Sequence, residues 1–473
     1  MRWAGPLKSR PIGHNHLEMS ATAIHAAEEK MRAAGQHDEA IANFRRAVER
    51  LVAGESGMLR SAELEPVRGV PALDELPAAD GRVLEKVAVV RLNGGLATTM
   101  GLLQPKSLVQ VREGHSFLDI IIGQTLTLRR RYRIHLPLVL MNSEVTREQT
   151  EAALKRGDGQ PVSDFLQSLE PKLDAATLEP VSWPTDPALE WVPPGHGDVY
   201  GALRRSGMLR RLLEQGFEYA MISNSDNLGA TVDPRIAAYL SESGAPFLLE
   251  VVEGTKAERK GGHIARRRED GRLVLRESAQ VPQEDSHSFG DYRHWRYFNT
   301  NNLWVALRAL SELLERQGGV LELPLIANRK TVDPRDPDSP EVIQVESAMG
   351  AAIGVFENAH VLCVPRTRFA PVKTTDDLLL VRSDVYSLTP EWHLEPLPER
   401  ARALPFVELD PAYYKLLDEF EARFPGGPPS LREADRLVVK GDVTFEAGVV
   451  VRGAVELSAS APERIAAGTV LSG

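Results

Sequence analysis

From Val83 onward the chain alternates short apolar runs with amphipathic stretches, and this alternation constrains its fold more than any other feature. "KVAVVRL" (86–92), "LPLVLM" (136–141), "EYAMIS" (218–223) and "FLLEVVE" (247–253) are apolar on both faces, so each must be covered on both sides if it forms a strand. Helical patterns such as Phe117 to Arg131 supply the cover. The spacing predicts an α/β fold with a mixed, mainly parallel sheet. Ligands of such sheets bind beyond the carboxyl ends of the strands, so the loops to read are those that follow them: "NGGLATTMG", "NSE" and "NSDNLGA".

The flanks read differently. Ile41, Phe44, Val48 and Leu51 recur at spacings of three and four, predicting a helix up to about residue 55. An acidic stretch containing Pro66, Pro71 and Pro77 then breaks helical continuity. Near the other end, Leu437, Val443, Val449 and Val455 recur every six residues, as do Val439, Phe445, Val451 and Leu457. With Gly441, Gly448 and Gly453 between them, this period predicts a short parallel β-helix of a coil or two, fading after Ser458; an antiparallel meander is the alternative. We therefore expect a helical segment and linker over 1–82, a catalytic domain over 83–400 and a β-helix-like domain over 401–473, the last a cap or a surface for self-association.

At 42% hydrophobic and 26% charged residues the composition is that of a globular protein, and no run approaches the ~20 apolar residues that span a bilayer. "MRWAGPLKSRPIGHNHLEM" lacks the apolar core of a signal peptide, and the single Cys363, in "HVLCVPR", reads as a small apolar strand residue. Both lead to an expectation of a cytoplasmic protein without a membrane partner. A net charge of −10 argues against a broad nucleic-acid surface, and "LRRRYR" (128–133) reads as a solvated helix end.

Several glycine- and amide-rich segments carry candidate chemistry. "LNGGLATTMGLLQPKS" (92–107) fits neither a Walker A loop nor a dinucleotide fingerprint, yet Gly94 and Gly95 let backbone N–H groups approach an anion and Lys106 adds a charge. In "PPGHGDVYGAL", His196 stands between Gly195 and Gly197, either as a donor to an oxyanion or as a structural residue, with Asp198 placed to cap the next helix. Asp226 in "SNSDNLGATVD" is a possible Mg²⁺ ligand or part of an Asx-turn. Asn299, Asn301 and Asn302 suit sugar hydroxyls or an internal network; Arg366, Arg368 and Lys373 suit a ligand lining or, again, a network. There is no Gly-x-Ser-x-Gly elbow, cysteine pair or His-Glu-x-x-His, so serine-hydrolase and zinc chemistry lose support.

Together "LNGGLATTMG…PKS", "PLVLMNS", "FLQSLEP", "PPGHGD", "SNSDNLGATVD", "KGG" (260–262), "AQVP" (279–282), "FNTNNLW" and "PVKTTDDLLLV" resemble, in order, the eukaryotic-type UTP:glucose-1-phosphate uridylyltransferases, over about Val87 to Leu388 and on into the tail. The resemblance implies a glycosyltransferase-A-like nucleotidyltransferase core and conversion of UTP and glucose 1-phosphate to UDP-glucose and pyrophosphate with Mg²⁺. It places the nucleotide on Leu92, Asn93, Gly94 and Gly95, the triphosphate on Lys106, and the uracil on Gln167 and Gly195. It further implies His196 at the sugar phosphate, Asn224 at both ligands, Asp226 at the metal, Asn301 at the sugar hydroxyls and Lys373 at the reacting phosphates. Two positions depart from the family pattern: Ala97 replaces a glycine, with strain expected if a positive φ is needed there, and Ser225 replaces an apolar residue. Transfer to N-acetylhexosamine 1-phosphate or several sugar phosphates, or silent UDP-sugar binding, are the competing readings.

Overall fold

The computed structural model describes residues 14–97, 100–101, 104–156, 162–255, 261–334, 336–400 and 403–473, with the backbone alone over 14–20. The N-terminal stretch read for export, Thr98 and Thr99 of the glycine loop, and Lys260 of "KGG" lie outside these residues. Ten strands make the main sheet among the described residues. They are β1 (Leu64–Pro66), β2 (Val87–Asn93), β3 (Leu138–Asn142), β4 (Ser163–Leu166), β5 (Tyr219–Asn224), β6 (Phe247–Glu253), β7 (His263–Arg267), β8 (Leu273–Arg276), β9 (Tyr297–Ala306) and β10 (His360–Cys363).

Order along the sheet is β1, β7, β9, β5, β2, β3, β4, with β6 beside β9 and β10, and β8 beside β7. The run β5–β2–β3–β4 is parallel throughout, whereas β9 runs antiparallel to both β5 and β6. The doubly apolar strands lie where expected because only a strand covered on both faces can be apolar on both. Val87, Val89 and Val90 of β2 are buried, each contributing about 1.5–3 kcal/mol by leaving water.

Helix α1 (His14–Ala33) and helix α2 (Asp38–Val52) precede the sheet, and Ile41, Phe44 and Val48 of α2 pack on Leu173, Leu325 and Ile343. Helix α3 (Phe117–Tyr132) starts at a capping box in which Ser116 Oγ accepts from Asp119 N–H at 3.2 Å and Asp119 Oδ2 accepts from Ser116 N–H at 2.8 Å. It stops where Arg133 turns left-handed at φ 54°, so the arginines fall in the last turn, where the helix dipole favours them. No described helix is long and apolar enough to cross a membrane.

The C-terminal coils stack in parallel. β11 (Phe406–Leu409), β12 (Ser430–Lys440), β14 (Val450–Ser458) and β16 (Val470–Ser472) form one face, and β13 (Val443–Phe445) and β15 (Glu463–Ile465) another. Leu437 pairs with Val455 and Val439 with Leu457, three six-residue steps along, which accounts for the sequence period. The pairing continues beyond Ser458, where the sequence pattern fades, through β15 and β16. Among the described residues no further coil stacks on the last one, and Val470 is 48% exposed. This end of the chain also touches the sheet's loops. Asp376 Oδ1 accepts from Leu409 N–H at 2.8 Å, and Leu416 packs so closely on Gly101 that a Cβ there would lie 2.6 Å from it.

Candidate active site

The parallel half of the sheet ends in three asparagines. Asn93 faces Asn142 in register and Leu92 faces Asn224. Asn93 is buried, its Nδ2 donating to Asn142 Oδ1 at 2.7 Å and Thr150 Oγ1 at 3.0 Å, so its side chain turns into the protein. Gly94 follows beneath the carboxamide of Gln167, whose Nε2 a Cβ would meet at 2.6 Å. Gly95 is different. A Cβ there would meet open space, and its carbonyl accepts from Lys106 N–H at 3.1 Å, closing the loop on itself.

Beyond β5 the loop through Asp226 is held from below by Arg91. This buried guanidinium donates to Ser223 Oγ at 2.7 Å, to the carbonyls of Asn224 and Asn227 at 3.3 Å and to that of Ala230. Burial first, then the charge of Arg368, push it down to about 9, still protonated at neutral pH. Above this floor Lys106 Nζ lies 2.7 Å from Asp226 Oδ2. The other oxygen, Oδ1, is buried and accepts no hydrogen bond from the described residues. Lys106 and Asp226, singled out separately in the sequence, are thus one ion pair.

Gly195 adopts φ 81° because the loop must pass over Ser347, whose carbonyl a Cβ would meet at 2.5 Å. Gly197 N–H donates to the same carbonyl at 2.9 Å. Between them His196 accepts at Nδ1 from Met349 N–H at 2.8 Å. A neutral ring therefore carries its proton on Nε2, as a donor. Loss of solvent, then the positive charge of Lys373, hold this imidazole down to about 4. Asp198 does not cap the following helix α4 (Val199–Arg205), contrary to the sequence reading: Arg205 Nη2 at 2.5 Å and Ser168 N–H at 2.7 Å claim its carboxylate instead.

Lys373 is exposed and precedes helix α5 (Thr375–Arg382). Its N–H donates to Asp377 Oδ2 at 2.7 Å, and Val372 N–H donates to the carbonyl of Asp226 at 3.1 Å, so the segment is stitched to the Asp226 loop. Across from it β9 carries a bulge: Asn302 faces Glu250 and Asn299 faces Val251, leaving Thr300 and Asn301 as extra residues, Asn301 at φ 56°. Asn299 Nδ2 donates to Asn301 Oδ1 at 2.8 Å, which leaves the Asn301 amide as a donor. Asn302 instead faces inward, donating to Glu250 Oε2 at 3.3 Å and accepting from Asn227 at 3.0 Å. Arg368 grips Glu250 at 2.8 and 2.7 Å and is part of this buried network; it does not line the site.

The family model for UTP–glucose-1-phosphate uridylyltransferase matches residues 41–452. The chain belongs to this family. A Saccharomyces cerevisiae UTP–glucose-1-phosphate uridylyltransferase is 42% identical over 385 residues, covering 81% of this chain and 76% of that one. A probable member from Schizosaccharomyces pombe is 41% identical over 412 residues, covering 86% and 80%. Among solved structures, the UDP-glucose pyrophosphorylase of Leishmania major, in a study of its open and closed forms, superposes with a TM-score of 0.90 at 42% identity, covering 95% of this chain and 98% of that one.

Both departures from the family pattern are accommodated. Ala97 has no positive φ; it is buried, donates its N–H to the carbonyl of Gln104 at 3.1 Å and carries no strain. Ser225 satisfies its hydroxyl on the carbonyl of Leu92 at 2.8 Å, tying the Asp226 loop to the end of β2. One candidate was missed in the sequence. Glu277 Oε1 accepts from Asn299 Nδ2 at 3.3 Å, its carboxyl close beneath Gly262, and burial raises it above the usual carboxylate range despite that bond and the charge of Lys373. Its nearness to "AQVP" was the only available signal.

Proposed function

We propose that the family's uridylyl transfer from UTP to glucose 1-phosphate, giving UDP-glucose and pyrophosphate, proceeds here by direct in-line attack of the sugar phosphate on the α-phosphorus. The attacking oxygen is already anionic at neutral pH, so no general base is required. What opposes reaction is repulsion between a sugar phosphate and a triphosphate, and charge building on the departing pyrophosphate. Catalysis then consists of positioning and of cations fixed in advance. The observation that carries this reading is the Lys106–Asp226 pair, with the Lys373 segment stitched to the same loop.

Each group has a task its geometry supports. The main chain of Leu92, Asn93, Gly94 and Gly95 cradles the nucleotide, Gly95 being open to a ligand on the side its Cβ would occupy. Gln167, a donor and an acceptor side by side, reads the uracil edge against the Gly195 main chain. Neutral His196 donates from Nε2 to the sugar phosphate, Asn224 meets both ligands, and the Asn301 amide, with Glu277 behind it, meets sugar hydroxyls. Lys106 and Lys373 neutralise the triphosphate and the reacting phosphates.

Asp226 would hold Mg²⁺: its buried Oδ1 lacks a partner among the described residues, and one carboxylate suffices for a hard ion that takes its remaining ligands from phosphate oxygens. When bound, Mg²⁺ supplies charge neutralisation at the triphosphate. We further read residues 1–82, 83–400 and 401–473 as separate units and the enzyme as cytoplasmic, with self-association through the last coil, whose strand β16 pairs, among the described residues, only with β14.

The test is pyrophosphate release with UTP, Mg²⁺ and a panel of sugar 1-phosphates. Turnover greatest with glucose 1-phosphate is expected. Preference for N-acetylhexosamine 1-phosphate, or no turnover with any sugar, would contradict the reading.

A further inference from the structure

Asn227, the residue after Asp226, is not among the groups that meet substrate in the proposed function, yet its side chain makes every hydrogen bond it can. It is 1% exposed. Nδ2 donates to Asn302 Oδ1 at 3.0 Å and to the carbonyl of Arg368 at 3.1 Å, and Oδ1 accepts from Gly229 N–H at 3.2 Å and from Ala370 N–H at 3.0 Å. Two donors and two acceptors exhaust a carboxamide. Asn302 Nδ2 donates to the same Arg368 carbonyl at 3.1 Å, so two amides and one peptide group close a triangle. From below, Arg91 Nη1 donates to the Asn227 carbonyl at 3.3 Å.

Three segments that bear proposed site residues therefore meet on one side chain. Asp226 shares a peptide bond with Asn227, and Asn301 precedes Asn302 in the bulge of β9. Between Ala370 and Lys373 there is little slack. Pro371, its φ fixed by the ring, bridges back to Asn227; Val372 N–H donates to the carbonyl of Asp226 at 3.1 Å; Lys373 N–H donates to Asp377 Oδ2 at 2.7 Å. Gly229 brings the two backbones into contact, since a Cβ there would collide with the carbonyl of Thr367. A shift of this amide is thus passed on to all three segments. In-line transfer is sensitive to such shifts, since a displacement of about 1 Å can cost on the order of 10²-fold in rate.

We infer that Asn227 is a positioning residue that sets Lys373 and Asn301 in register with Asp226. This rests on the roles proposed for Lys373 and Asn301, and the test separates the two. Steady-state kinetics with UTP, Mg²⁺ and glucose 1-phosphate are measured for the wild type, Asn227→Ala, Lys373→Ala, Asn301→Gly and the two double variants that contain Asn227→Ala, with rates taken per folded molecule. Asn227→Ser, which leaves a hydroxyl in the same space, takes the place of Asn227→Ala if the latter does not fold.

Asn227→Ala should lower kcat about 10²-fold, and only about tenfold where Lys373 is already alanine. It should raise KM for glucose 1-phosphate about fivefold, and no more than about twofold where Asn301 is already glycine. A residue that served stability alone would leave KM unchanged and lower the rate by one factor in every background. If Lys373→Ala leaves kcat unchanged, or Asn301→Gly leaves that KM unchanged, the role proposed for that residue is wrong and the inference falls with it. If both single variants act as proposed while the factors for Asn227→Ala are equal across either pair of backgrounds, the roles stand and the inference alone is lost.

Discussion

The two halves of the central sheet bring different chemistry to the site by different means. The parallel half ends in loops: Gly94 and Gly95 after β2, and Asp226 after β5, with Lys106 reaching across. The antiparallel half contributes from within a strand, where the bulge in β9 turns Asn301 out at φ 56° while Asn302 stays inside on Glu250. Charges thus sit on loops, and neutral donors sit on a strained, over-determined strand. Repulsion between phosphates is relieved by charge wherever it can be brought near, which in the proposed function is the task of a lysine on a flexible stem. In the proposed function, telling one sugar from another needs a donor held at a fixed place, and a bulge pinned by a buried ion pair would supply it.

If this division holds, Lys373→Ala should produce the largest effect, lowering kcat by about 10³-fold while leaving the melting temperature within a few degrees of the wild type. Steady-state kinetics beside calorimetric melting checks both; near-normal kcat would show that Lys373 is not a reacting-phosphate cation. Glu250→Gln attacks the other half. It strands Arg368 in the interior and should cost about 3 kcal/mol of stability, read by urea unfolding, with a much smaller loss of activity per folded molecule. An unchanged unfolding midpoint would mean that the network does not hold the bulge.

Asn301→Gly keeps the backbone geometry and removes the amide. It should raise KM for glucose 1-phosphate about tenfold and leave KM for UTP within twofold. Equal rises for both substrates would erase the distinction between the halves.

The smallest effect concerns pH. His196 has a folded value of about 4 against 6.5, so between those values the unfolded chain takes up a proton that the folded chain refuses. Stability is therefore lost as pH falls through that window. His196→Gln, which keeps an acceptor for Met349 N–H, should lose about 1–2 kcal/mol less than the wild type between pH 7.5 and pH 5. His263, also held well below its ordinary value by burial, is present in both proteins and cancels. Identical pH dependence would show that His196 is not kept neutral by the fold.

What could be read in the sequence follows from how local the cause is. The strands were legible because burial on both faces is written in consecutive residues, and the extent of β6 matches the apolar run residue for residue. The coils were legible from their period of six until the last one, where exposure removes the demand for apolar side chains. Gly94 and Gly95 were recognisable as a turn, but not that Gly94 lies under Gln167, which follows another strand, β4. The bulge at Asn301 was hidden for the same reason, since a bulge exists only relative to β6. Arg368 looked available for a ligand because its partner, Glu250, lies 118 residues away. Asp198 looked like a helix cap because Arg205 and Ser168 could not be seen competing for it.

The central claim is a single displacement at phosphorus, with charge neutralisation in place of a covalent intermediate. Its most direct test is the stereochemical course of the reaction with one diastereomer of the α-thio analogue of UTP. The account predicts that the UDP-glucose analogue is formed with inversion at the α-phosphorus. Retention would require two displacements through a uridylylated side chain, and would contradict it.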